Sequence, residues 1–301
     1  MKVLIGGLPY FAKKLVHSLS DFDKTNSYKY LEPNVNIGSK IRTIFKLVPV
    51  DIIYFIWGTI EVNKLTDLAL LMKKKVILHW VGTDVTNAVN YHKDHSIKQR
   101  YIETITHLCE VPWIQNELGQ IGISAQIAQI ATFDDMISEL QLFPTKFSIL
   151  SYIGKGYEEF YGIEKLIKLA KDFPSIEIRI VGIDDYFKPI PENIKLLGWT
   201  KNMPEQYNNC VLYLRLPEHD GLGFSVLEAL ANGRYVGYSY NFENTIYIDN
   251  YSKLKDVVGF LYGEFNNGSL DLNCEGVKFV KERFNRNTVL GELTKKFRET
   301  S

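Results

Sequence analysis

The chain has 301 residues, roughly two domains' worth of protein. Its 35 Lys and Arg balance 35 Asp and Glu, so no global positive field draws it to nucleic acid. With 46 % hydrophobic and 23 % charged residues, disorder is excluded, and three scattered cysteines without a C-x-x-C exclude a disulfide scaffold or zinc knuckle.

Met1–Gly7 is too short an apolar run for a signal peptide. The longest apolar stretch, Leu47 to Ile60, contains Pro49 and Asp51 and falls short of the ~20 residues that span a bilayer. A cytoplasmic protein is expected. Lys2–Gly6 reads as a buried strand entering a glycine turn. Pro9–Leu19 follows at helical period, with Phe11, Leu15, Val16 and Leu19 on one face. The stretch 38–46 sets Lys40, Arg42 and Lys46 beside Ile41, Ile44 and Phe45. An anionic lipid surface, and so peripheral contact with the inner face of a membrane, is one reading of it; an exposed helix is the plainer one. Asp51–Trp57, a helix over 62–72 and Val76–Trp80 continue the alternation that builds a parallel sheet.

The rhythm dissolves around Gln129–Lys146 and restarts with a strand at Ser148–Ile153, a glycine turn, a helix over Ile163–Lys171 and a strand at Ile176–Val181. Ile163, Leu166, Ile167 and Ala170 form one buried helix face. Strands follow near Ile194–Leu197, Val211–Arg215 and Tyr235–Ser239, with a helix from Gly223 to Asn232. Amphipathic segments over Gly276–Phe284 and Asn287–Phe297 finish the chain. The expected fold class is α/β, with two Rossmann-like domains facing a cleft.

The chemistry concentrates between Glu218 and Gly233. Asp220 and Glu228 flank seven residues that include Gly221-Leu222-Gly223-Phe224. Glycines before a helix let a ligand approach the backbone, and the helix start offers N–H groups and a positive dipole end, a seat for a diphosphate. Glu228, one to two turns inside, is placed to accept paired sugar hydroxyls. The plainer reading is two carboxylates that only favour the helix dipole.

This segment resembles the glutamate-x7-glutamate signature of GT-B glycosyltransferases, in particular glycosyltransferase family 4. Asp220 stands where the family has Glu, and Leu222 where it has Phe. Ile149–Gly156 with Gly162 resembles the entry to the family's second domain. Lys155 stands at its Arg and Tyr161 at its Lys. Leu78–Asp84 resembles the acceptor-side loop, with Val81 at the usual His and His79 two residues earlier.

The resemblance implies an acceptor-side domain over 1–145, a donor domain over 146–284, and a last helix, 285–301, packed back on the first domain. It implies transfer from a nucleotide-diphosphate sugar to a glycan, lipid-linked or protein acceptor, with retention, without metal or cofactor, and with a UDP-sugar expected ahead of a GDP-sugar. Glu228 would hold the ribose and Asp220 the donor sugar. Gly221, Gly223, Phe224 and Lys155 would meet the diphosphate. Gly7 would allow close approach, and His79 and Asp84 would lie near the reacting sugar. Plainer readings are a strand-end glycine for Gly7, a solvated turn lysine for Lys155, a core histidine for His79, and a loop carboxylate for Asp84. His219 reads as a neighbour and Glu218 as a second-choice carboxylate. The departures at Asp220, Tyr161 and Val81 keep open a non-catalytic partner subunit; a GT-B nucleotide-sugar epimerase is the other alternative.

Overall fold

The computed structural model describes residues 1–32, 47–61, 63–94, 97–133 and 140–300. The basic stretch 38–46 and the Asp134–Asp135 pair of the expected boundary lie outside them. Contacts divide the chain into two compact units, Met1–Thr132 with Arg286–Ser301, and Phe133–Asn285.

Unit 1 holds β1 (Lys2–Gly7), α1 (Pro9–Phe22), β2 (Ser27–Tyr30), β3 (Ile52–Ile56), α2 (Lys64–Leu71), β4 (Lys75–Trp80), α3 (Thr83–Lys93), α4 (Gln99–Thr104), β5 (Thr106–Cys109), α5 (Pro112–Gln120) and β6 (Ala125–Ile127). Its six strands run parallel in the order β2-β1-β3-β4-β5-β6. Asn63 caps α2 by accepting from the Leu65 and Thr66 N–H groups, which starts that helix two residues later than its apolar pattern suggests. The last helix of the chain, α11 (Arg286–Thr300), belongs to this unit. Leu290, Leu293 and Phe297 share the core with Ile5, Leu19, Ile52 and Tyr54, as expected for a helix that packs back on the first sheet.

Unit 2 holds β7 (Ser148–Tyr152), α6 (Ile163–Asp172), β8 (Glu177–Val181), β9 (Ile194–Gly198), α7 (Met203–Asn208), β10 (Leu212–Arg215), α8 (Phe224–Ala231), β11 (Tyr235–Tyr238), β12 (Ile246–Tyr247), α9 (Tyr251–Asn266) and α10 (Cys274–Arg283). Again six parallel strands form one sheet, in the order β12-β11-β10-β7-β8-β9. The face read from the sequence, Ile163, Leu166, Ile167 and Ala170, is buried in the core against β7 and β8.

The division between units falls at 132/133, inside the stretch Gln129–Lys146 where the sequence rhythm dissolves; the expected domain bound is 145/146. The reason is local packing. Phe133 meets the Phe224 and Phe284 rings, the Gln141 carbonyl accepts from Arg234, and Phe143 lies on Tyr235. No helix among the described residues is long and apolar enough to cross a membrane.

Candidate functional site

In both sheets a glycine closes a strand where backbone crowds backbone. Gly7 has φ +100°, and a Cβ there would stand 1.9 Å from the Ile56 carbonyl oxygen. Gly182 repeats the arrangement, 2.1 Å from the Ile153 oxygen. The glycine at 7, read as room for a ligand, is thus already required by its neighbouring strand.

The remaining unit 1 candidates are deep. Asp84 is 1 % exposed, at the start of α3. Its carboxylate accepts from the N–H groups of Gly58 at 2.7 Å, Gly82 at 2.8 Å, and Val81 and Val85 at 3.1 Å. Burial raises its pKa against the pull of those bonds. Asp84 therefore pins the loops after β3 and β4. Trp57, in that first loop, has φ +113°, a strained value for a bulky residue. His79 is fully buried, with Nδ1 2.6 Å from the Tyr54 hydroxyl. Burial pushes its pKa down to about 3, opposed by the Ala128 backbone, so the ring is neutral at pH 7. It sits in the core of the unit, as the plainer reading has it.

Unit 2 gathers the rest at the carboxyl ends of β7 and β10, where parallel α/β sheets bind ligands. Tyr161 and Gly162 end the turn after β7. Gly162 takes φ +79°, and a Cβ on it would lie 3.0 Å from the Leu216 carbonyl oxygen, so this turn rests against the segment after β10. The Glu218 N–H donates to the Phe160 carbonyl at 2.9 Å and ties the two together.

The center of the cluster is an ion pair. Arg215, the last residue of β10, donates to Asp220 through Nε at 2.6 Å and Nη2 at 3.0 Å. Both side chains are nearly buried, 11 % and 13 % exposed. The guanidinium lies 5.4 Å from the Tyr161 ring center and 5.9 Å from that of Tyr152. Burial opposes its charge, yet the Asp220 carboxylate outweighs this and holds Arg215 well above its usual pKa. Tyr238 donates its hydroxyl to Asp220 at 3.1 Å and to the Gly221 carbonyl at 2.9 Å, and the Asp220 N–H donates to the Tyr240 hydroxyl at 3.1 Å. Asp220, expected to take sugar hydroxyls, is thus first engaged by an arginine and a tyrosine.

Gly223 is the N-cap of α8 and, as a glycine, offers it no side-chain cap. A Cβ on Gly223 would meet Arg215 Nε at 2.8 Å and Asp220 Oδ2 at 3.2 Å. Glycine here makes room for the ion pair against the helix start. Phe224 turns its ring edge-on to Phe133, leaving its backbone at the first turn. Glu228, half-buried one turn further, accepts from the Tyr207 hydroxyl at 2.7 Å.

Lys155 stands apart. Its Nζ lies 2.9 Å from Asp184 and 3.1 Å from Asp185, with the side chain 65 % exposed. Hydrogen bonds from those two aspartates raise its pKa. Two carboxylates around one ammonium leave that corner net negative, a poor seat for a diphosphate. Sequence reading missed Arg215, Tyr238, Tyr240 and Tyr207. The one signal was a charged residue closing an otherwise apolar strand, Leu-Tyr-Leu-Arg. Among the described residues no group of three or more His, Cys, Asp and Glu is placed to hold a metal ion.

No family model and no curated protein matches the chain. Solved structures do. HepE of Anabaena, in complex with UDP, is 12 % identical, with a TM-score of 0.73 over 99 % of this chain and 100 % of its own. A sucrose-phosphate synthase from Thermosynechococcus elongatus is 10 % identical, with a TM-score of 0.68 over 99 % of this chain and 98 % of its own. WaaB, a lipopolysaccharide outer core galactosyltransferase in apo form, is 13 % identical, with a TM-score of 0.65 over the full length of both chains. Two parallel six-stranded sheets with their helices define the GT-B fold of glycosyltransferases, and this chain has it.

Proposed function

We propose that the chain is a nucleotide-sugar-dependent glycosyltransferase that holds its donor in unit 2 and takes its acceptor, a glycan, lipid-linked or protein hydroxyl, on unit 1. The observation that carries this reading is the Arg215–Asp220 pair set against the start of α8, with Glu228 one turn along. Positive ends of a helix and a guanidinium converge there on one point, as leaving-group stabilisation requires. A UDP-sugar is the favoured donor, supported by the UDP bound to HepE and by the UDP and GlcNAc bound to the pneumococcal O-GlcNAc transferase GtfA.

In the proposed reaction the acceptor oxygen bonds to the anomeric carbon while the bond from that carbon to the diphosphate oxygen breaks. The bonding pair leaves with the diphosphate, and the acceptor proton is transferred to it. Retention and independence from metal belong to the proposal through the resemblance of the Asp220–Glu228 segment to family 4. Glu228, already paired with Tyr207, is assigned to the ribose hydroxyls. Gly221, Gly223 and the Phe224 backbone are assigned to the diphosphate. Gly7 stays a candidate for the reacting face, whereas His79 and Asp84 are assigned to the structure of unit 1.

A second reading, a non-catalytic nucleotide-sugar-binding partner, draws on Asp220 being committed to Arg215 and on Lys155 being neutralised by Asp184 and Asp185. The test is a thermal-shift screen against UDP, GDP, ADP and CMP, followed by incubation with the matching nucleotide sugars. A ligand at about 100 times its Kd should add about 2.7 kcal/mol of stability. Stabilisation by one base, lost in Glu228→Ala, supports the site. Release of free nucleotide from its sugar, with or without added acceptor, separates the enzyme from the binding subunit, and a new nucleotide sugar formed alone marks an epimerase. No shift with any nucleotide overturns donor binding.

A further inference from the structure

We propose that Arg215 is the residue that meets the leaving diphosphate, in place of the lysine that Tyr161 displaces, and that Asp220 acts as its positioning residue. This rests on the donor-binding reading above and names the group that does its electrostatic work.

A diphosphate leaving group needs fixed positive charge where its own charge develops. Near this end of the sheet Tyr161 carries no charge, and Lys155 stands exposed between Asp184 and Asp185, a corner with net negative charge, whereas the Arg215–Asp220 pair is balanced. Arg215 remains, and it is built in from every side. It closes β10, the strand that leads directly into the glycine segment. Tyr152 and Tyr161 flank its plane, Asp220 fixes its fork, and Tyr238 and Tyr240 fix Asp220. Gly223, just before α8, leaves room for Nε, which a Cβ at that position would meet at 2.8 Å. The fork onto Asp220 uses two of the guanidinium's five N–H donors, Tyr161 and Tyr213 lie within hydrogen-bond reach of it, and in the proposal a phosphate oxygen takes a remaining N–H beside Gly223.

Tyr161 then has a role as well: where a lysine would have supplied charge, an aromatic face holds an arginine brought from another strand. A plainer alternative is an ion pair that only pins the loop between β10 and α8. The two differ in what they predict for the charge. A loop pin fails when either partner loses its charge, so Asp220→Asn alone would weaken the diphosphate as much as Arg215→Gln. A diphosphate cation keeps its charge in Asp220→Asn, so that single variant, titrated beside the others, should lose clearly less diphosphate affinity than Arg215→Gln, and an equal loss overturns the role.

The experiment is calorimetric titration of the full chain with UDP and with uridine, or with GDP and guanosine if GDP is the better stabiliser. Wild type, Arg215→Gln, Arg215→Lys and the double variant Arg215→Gln with Asp220→Asn are compared at one salt concentration. The double variant removes both charges and so avoids an unpaired buried carboxylate. We expect Arg215→Gln and the double variant to weaken the diphosphate about 10- to 100-fold. Uridine should stay within about twofold, and Arg215→Lys should recover part of the loss. Equal weakening of UDP and uridine, or an unchanged ratio between them, overturns the role of Arg215 and leaves donor binding standing. Absence of binding by wild type to any nucleoside diphosphate overturns donor binding itself.

Discussion

A methyl group at residue 7 would stand 1.9 Å from the Ile56 carbonyl oxygen and would force φ +100° on an L side chain. Gly7→Ala is therefore expected to destabilise unit 1 by at least about 1–3 kcal/mol, read as a lower urea midpoint. Two buried histidines of the same unit weaken it in acid, against the opposite contribution of Asp84, whose raised pKa favours the folded state as pH falls. Burial holds His79 at about 3 and His107 at about 4, both below the ordinary 6.5. In the unfolded chain each takes a proton as pH falls through 6.5, while in the folded unit neither does until far lower. The unfolded state then binds more protons, so stability is full above pH 6.5 and falls below it. Between pH 6.5 and about 5 the loss approaches about 1.4 kcal/mol per pH unit for each histidine. Urea titrations across that range check the slope, and a flat profile would sink it. His79 also shows where sequence reading stops at this scale. A histidine in an apolar strand fits a reacting sugar or a core equally well, and only its contact with Tyr54 and its lack of exposure decide.

Elements follow the same division. The helix α6 is legible because Ile163, Leu166, Ile167 and Ala170 recur at helical spacing, and all four are buried. Leu166→Ala is expected to lose about 2–5 kcal/mol in the unfolding free energy of unit 2. The helix α9 carries an equally clear signal in Leu254, Val257, Val258 and Leu261, all buried, and could have been read from the chain. By contrast β6 has three residues, and only Ala125 of them is buried, too little for any period to register. The start of α3 is a tertiary device. Asp84 there takes N–H groups from its own loop and from Gly58. Asp84→Ala leaves those donors without an acceptor, at about 1–3 kcal/mol for each that stays buried. The measured outcome should be a lower melting temperature for unit 1 with nucleotide affinity unchanged, and a selective loss of nucleotide binding would contradict it.

For the whole molecule, the chain path makes the two units unequal. Unit 2 is one continuous segment with its own core, whereas unit 1 needs Leu290, Leu293 and Phe297 from α11 at the far end of the chain. A fragment over 133–285 is expected to fold and to keep the nucleotide affinity of the full chain within severalfold. Removal of 286–301 is expected to unfold unit 1 while unit 2 stays folded, seen as loss of the acid-sensitive transition and retention of the other. Cooperative melting of the truncated chain with both units intact would contradict this.

The sequence by itself determined the α/β class, the repeated strand–glycine–helix plan and the candidate segment from Asp220 to Glu228, each from spacing along the chain, which backbone geometry converts directly into a buried face or a turn. The return of the last helix followed from the family resemblance of the sequence. The tertiary structure alone decided which charges pair around the site. Arg215 reaches Asp220 across the turn after its strand, Tyr161 covers it from the end of another loop, and Lys155 is claimed by Asp184 and Asp185 nearly thirty residues away. An ion pair goes to the partner that is nearest in space, and spacing in sequence does not carry that distance.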